Sequence, residues 1–117
     1  MIKITTGETF TPTWNDNDKA ANPIRVKIKY LNAEDREQCE QLWLSNKVTK
    51  RGVYTKMDLS EYFKRGVVEF ENLAVEVDEK PVVIKTVSDF LAYPLPVELY
   101  QEIAFHIRDT SGINIKN

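Results

Sequence analysis

His106 is the only histidine of the 117-residue chain and Cys39 the only cysteine, so the side chains that most often carry catalysis or hold transition metals occur once each. A multi-histidine metal site is thereby excluded. Glu102 precedes His106 by four residues, a spacing that brings two side chains together on one helix face, and a carboxylate beside an imidazole is a minimal acid–base pair. No spacing ties a third group to it, and the pair reads as a surface contact. Cys39 falls in an apolar stripe with no mark of a thiolate environment, so it reads as a core residue and an ordinary reduced thiol. Asn15, Asp16, Asn17 and Asp18 gather oxygen ligands, yet neither the glycine nor the distal glutamate of a calcium loop stands at the required offset. No Gly-x-Ser-x-Gly, P-loop or Gly-x-Gly-x-x-Gly motif occurs. The sequence predicts a protein that is not an enzyme and takes no metal or cofactor.

Binding falls to two other groups. Lys47, Lys50, Arg51 and Lys56 surround Tyr54 in a basic segment, and Arg25, Lys27 and Lys29 line one face of a strand. Cations of this kind meet phosphates, and a tyrosine can stack on a base. The net charge of −2, the pI of about 5.5 and the lack of a nucleic-acid motif count against that reading, which stays as the alternative. Charge is uneven: residues 47–65 hold six cations and two anions, and residues 66–117 hold four and nine. The second group centres on Phe105. On the predicted last helix it points away from the Tyr100–Ile103–Ile107 face, among Glu98, Glu102 and Asp109. A lone exposed aromatic is common on monomers, and it is also the residue type that anchors a partner. Phe105 with Glu98, Glu102 and Asp109 is the expected partner-binding patch.

The positioning elements follow from periodicity. Ile24, Val26, Ile28 and Tyr30 alternate with Arg25, Lys27 and Lys29, which predicts a half-buried strand beginning after Pro23. Ile2 to Ile4 and Thr9 to Thr11 predict a hairpin turned by Gly7 at positive φ, with Pro12 ending its second strand. Asn32 caps a helix over 33–44 that buries Cys39, Leu42 and Trp43 and pairs Arg36 with Glu40 outside. Residues 46–56 have the weakest pattern and predict an exposed connection with a short strand near Val53. Asp58 and Glu61 start a helix over 59–65, with Met57 and Tyr62 as its staple and Gly66 as its C′ residue. Extended stretches follow at 67–70, 73–77 and 82–84, the last two joined by a turn at 78–81. Thr86 and Asp89 cap a brief helix, Pro94 and Pro96 stop it, and a helix over 96–109 buries Leu99, Tyr100, Ile103, Ala104 and Ile107. Ile113 to Asn117 reads as a tail. The prediction is one α+β domain over 1–117: a small antiparallel N-terminal sheet, three to four short helices and a second small β-hairpin.

No apolar run approaches the roughly 18 residues of a membrane span, and Met1 to Gly7 lacks the apolar region of a signal peptide, so a cytoplasmic protein with no membrane partner is expected. From Tyr62 to Ile107 the pattern resembles the small tail assembly chaperones of long-tailed bacteriophages. Val67 to Leu73 corresponds to their Val-x-x-Trp-x-x-Val segment, with Phe70 in the tryptophan position. Asp78 to Val82 corresponds to their Asp-Gly-x-Pro turn, with Glu79 in place of glycine, and Thr86–Leu91, Pro94 and Leu95–Ile107 complete the likeness. The resemblance implies a non-catalytic protein of the bacterial host cytoplasm. It would bind the tape-measure protein, the tail-tube protein or both during tail assembly and be absent from the finished virion. It leaves room for a homo-oligomer, and for the alternative of a structural tail or connector protein.

Overall fold

A computed structural model of the chain describes residues 1–111 and 115–116, without the side chains of residues 45–47, 49, 54–56, 115 and 116. The elements run β1 (Lys3–Ile4), β2 (Gly7–Phe10), a 3-10 turn (Trp14–Lys19), β3 (Arg25–Lys29) and α1 (Ala33–Trp43). Then come β4 (Leu44–Thr49), β5 (Gly52–Met57), α2 (Ser60–Gly66), β6 (Val67–Glu71), β7 (Ala74–Val77) and β8 (Lys80–Val83). α3 (Val87–Leu91), α4 (Val97–Ser111) and β9 (Ile115–Lys116) complete the order. The fold is α+β with antiparallel sheets, as the sequence predicts.

β3 is the middle strand of a three-stranded sheet in the order β2-β3-β6, and its alternation is realised residue by residue. Val26 and Ile28 are buried, while Arg25, Lys27 and Lys29 are exposed. The register slips between Lys27 and Ile28, so Lys27 faces Glu69 and Ile28 faces Val67, leaving Val68 as the extra residue of a bulge. α2 and α4 cover the apolar face and complete a single buried cluster with Tyr62, Phe63, Phe70, Leu99, Ile103 and Ile107. Asn17 is the one buried polar residue of the described chain. Its amide donates to the carbonyls of Pro12 and Ile24 and accepts from the Ile24 amide, which fixes the approach to β3. That is the role of the acidic loop; among the described residues no group of His, Cys, Asp or Glu is arranged to hold a metal ion.

Several local expectations change. β2 does not form a hairpin with β1: β1 pairs with β9, so part of the predicted tail is a strand, and β2 pairs with β3. Gly7 lies inside β2 without positive φ. A Cβ there would fall within van der Waals contact of the Ile28 carbonyl oxygen, so close strand approach is what requires glycine. Gly66 is the last residue of α2 rather than its C′ residue. An added Cβ would stand 2.8 Å from Ile107 Cδ1, so Gly66 lets α2 and α4 pack closely. Asp58 does not cap α2 at the N-cap position, which is Leu59, but its carboxylate accepts from the Ser60 amide at 3.0 Å. Met57 is exposed rather than stapled to Tyr62. Leu42 is exposed and Trp43 half-buried, because the chain leaves the helix at Trp43 to begin a strand. The Asn32 cap and the Thr86–Asp89 capping box form as the residue types require.

β7 and β8 are joined by Asp78 and Glu79, both at positive φ (51° and 67°) across a two-residue turn. This is the backbone of a type I′ turn, whose second position favours glycine, and a side chain there costs about 1–2 kcal/mol. Glu79→Gly is therefore expected to stabilise the protein by about 0.5–1 kcal/mol and to raise its thermal midpoint by about 2–5 °C, measured by circular dichroism.

Candidate interaction site

The segment with the weakest sequence pattern forms a separate ribbon whose described residues are exposed. β4 and β5 make a two-stranded sheet of their own, paired from Leu44 opposite Met57 to Thr49 opposite Gly52, with Lys50 and Arg51 at the turn. Gly52 takes φ 126°, which only glycine adopts freely, and closes the turn. The base of the ribbon is fixed. The Asp58 amide donates to the Trp43 carbonyl at 2.7 Å, and the Arg108 guanidinium lies 3.8 Å over the Trp43 ring. Arg108 also pairs with Glu40 at 3.3 Å, and Glu40 accepts from the Tyr62 hydroxyl at 2.5 Å. Burial, and then this carboxylate, push the Tyr62 phenol above its ordinary pKa. Glu40, itself exposed, thus reaches across to Tyr62 and Arg108 and does not pair with Arg36.

Beyond the base the ribbon leaves the core. Leu44 and Met57, then Val48 and Val53, are opposed in register at positions four residues apart, so they share one face. Val48 is 82% exposed and Val53 67%. The radius of gyration of 16.3 Å exceeds the about 13 Å of a compact domain of this size, as projecting ribbons require. Lys50 and Arg51 are exposed at the tip. Lys47 is opposite Tyr54 and Lys56 opposite Ser45 in register, and the predicted contacts of these side chains lie outside the described residues. On the outer face of β3, Lys27 pairs with Glu69 at 3.2 Å and Arg25 faces Glu71 in register. β6 thereby offsets the cations that the sequence reading offered to phosphate.

The predicted patch on α4 separates into two parts. Glu102 is not part of an open acidic rim: its carboxylate accepts from the Thr13 amide (2.7 Å), the Thr13 hydroxyl (3.0 Å) and the Trp14 amide (2.9 Å). It anchors the chain entering the 3-10 turn. Phe105 is half-buried and packs against the core, not clear of it, because the 3-10 turn reaches this helix face. Glu98 and Asp109 remain exposed. Spacing within α4 could not reveal these partners, which lie about 90 residues away in sequence.

His106 likewise takes a distant partner. It does not meet Glu102; its Nε2 contacts Glu8 Oε1, and its ring stacks on Phe10 with centroids 3.9 Å apart. The Tyr30 hydroxyl donates to the other Glu8 oxygen, so one carboxylate ties β2, β3 and α4 together. Burial raises the Glu8 pKa, but the hydrogen bonds from Tyr30 and His106 outweigh it and leave the carboxyl below its usual value of 4.5. Burial, with the Glu8 hydrogen bond and charge behind it, pushes Tyr30 up to about 12. Ionised Glu8 therefore stabilises the fold above the ordinary carboxylate range, and that contribution is lost as pH falls through the lowered folded value. The neutral Tyr30 hydroxyl contributes fully below pH 10, and its part is lost as pH rises through about 12. Urea midpoints across the acid range should fall less steeply for Glu8→Gln than for the unaltered protein, the difference being the share of Glu8.

No protein-family model, curated protein or solved structure matches this chain. Among the described residues no helix is long and apolar enough to cross a membrane.

Proposed function

We propose that this protein is a tail assembly chaperone of a long-tailed bacteriophage, which binds the tape-measure protein, the tail-tube protein or both without catalysis in the host cytoplasm. The observation that carries the reading is the order of elements from α2 to α4. A helix leads into strand β6 with Phe70 buried, a tight turn at Asp78-Glu79 follows, then the capped helix α3, the prolines 94 and 96, and a long final helix. This is the arrangement that the sequence resemblance implies for the family. The outer side of α4, where Glu98 and Asp109 are exposed beside half-buried Phe105, suits a helix bearing lysines or arginines. Glu102 is left to its structural task.

Two measurements test this. Recombinant helical segments of the tape-measure protein should bind the chain, and Glu98→Lys combined with Asp109→Lys should weaken that binding without moving the thermal midpoint. Mass spectrometry of purified particles should find the protein missing. Presence at fixed copy number would identify a structural tail or connector component instead. Steeply salt-dependent binding of mixed-sequence DNA or RNA that is lost with Lys50 and Arg51 would favour the nucleic-acid alternative.

A further inference from the structure

Among the described residues the hairpins β4–β5 and β7–β8, like the β1–β9 pair, each form a separate two-stranded sheet. An isolated two-stranded hairpin is marginal in water, and its outer edges present unpaired backbone donors and acceptors. The two hairpin ribbons also differ in charge. Residues 44–57 carry four cations and no acid, whereas the β7–β8 ribbon, residues 74–83, carries three acids and one base, Lys80. Glu69 is taken by Lys27 and Glu71 faces Arg25, but Glu76, Asp78 and Glu79 are exposed with no cation partner among the described residues. Lys50 at the basic tip is exposed and equally unpaired. Both ribbons carry uncovered apolar groups. Val48 and Val53 stand on one, and on the other Ala74, Val75, Glu76 and Pro81 line a shallow groove beside Val83, which is 60% exposed.

We propose that the β4–β5 ribbon of one copy docks on the β7–β8 ribbon of a second copy, Val48 and Val53 covering the groove and Lys50 meeting the Glu76–Glu79 acids. Charge decides the occupant and the symmetry. A two-fold contact between identical basic ribbons would set four cations against four, a repulsive arrangement. A basic-on-acidic contact is complementary, and it joins different surfaces of the two copies. Such a heterologous contact leaves each assembly with one unused ribbon of each kind, so copies add until the rotation closes a ring or a chain extends. The inference goes beyond the proposed tail function and does not use it.

Sedimentation of the full chain over a range of concentrations tests the proposal. The mass should rise with concentration at about 0.1 M salt and less so near 1 M, where the screening length shrinks from about 10 Å to about 3 Å. Val48→Asp with Val53→Asp removes one surface, and Glu76→Lys with Glu79→Lys removes the other. Each pair should leave the circular dichroism spectrum and thermal midpoint intact while weakening self-association at least about tenfold. An equimolar mixture of the two variants should form a 1:1 dimer and stop there, since each supplies the ribbon the other lacks. The proposal is overturned if the unaltered chain stays monomeric, if the lysine variant assembles normally, or if the mixture fails to pair.

Discussion

Ile28→Asp is expected to remove most of the stability of this protein. Ile28 is 3% exposed in the middle strand of the three-stranded sheet, with β2 on one side and β6 on the other. Its side chain lies in the cluster that α2 and α4 close, while the basic residues of β3 are exposed on the opposite face. Two losses combine. Removing a buried isoleucine side chain forfeits about 1.5–3 kcal/mol of apolar burial. The aspartate must then either carry an unpaired charge into the core or stay protonated at a raised pKa, and both routes cost several kcal/mol more. Against a total stability of about 5–15 kcal/mol for a domain, the sum leaves little folded protein. Urea unfolding followed by far-ultraviolet circular dichroism should give no native baseline near neutral pH, with partial recovery as the pH falls and the carboxyl is neutralised. Lys27→Gln, one residue away on the outer face, should shift stability by no more than about 0.5–1 kcal/mol, the worth of its exposed pair with Glu69. A cooperative, near-native unfolding curve for Ile28→Asp would mean that this face does not meet the core.

What could be read from the residues is the set of features that need only near neighbours. The alternation of β3 depends on a period of two, and the caps at Asn32 and Thr86 depend on side chains reaching amides three residues on. These form as expected. Several of the misreadings share one cause, which is a partner far away in sequence. Gly7 and Gly66 carry turn and cap signals, yet each is glycine because another segment, at Ile28 or Ile107, comes too close for a Cβ. Glu40, Glu102 and His106 each have a plausible partner four residues away on their own helix, and each takes another across the fold: Tyr62, Thr13 and Glu8. Local spacing offered about 0.2–0.5 kcal/mol, while a charge-assisted bond in a partly buried site is worth more. The β4–β5 ribbon escaped for a different reason. Its apolar residues recur every fourth position, at Leu44 and Val48 and again at Val53 and Met57, with polar residues on both faces between them. A strand that buries little has little pattern to read. The candidate site was therefore legible in its charge and not in its shape.

Phe63→Ala is expected to cost about 3–5 kcal/mol, the usual range for deleting a fully buried aromatic ring. Phe63 is 0% exposed on α2 and is the point at which four elements meet. Its ring centroid lies 4.9 Å from Phe90 of α3, 4.8 Å from Tyr100 of α4 and 6.2 Å from Phe70 of β6. Those partners also touch one another, with Phe70 and Phe90 stacked at 5.1 Å, so the hole would open inside a connected cluster. The walls come from separate elements, and Gly66 already sets α2 close against Ile107 of α4, which leaves the helices little room to move inward and fill the space. The cost should therefore fall toward the upper end of the range, with each lost ring pair adding about 0.5–1.5 kcal/mol beyond area. Urea titration should show the midpoint falling with the slope unchanged, as a change of stability without a change of denatured state requires. Phe63→Leu keeps most of the volume and should cost about 1–2 kcal/mol. Equal losses for the two variants would show that shape, and not volume, governs this position, while a loss below about 1 kcal/mol for alanine would mean that the four elements do not close on this ring.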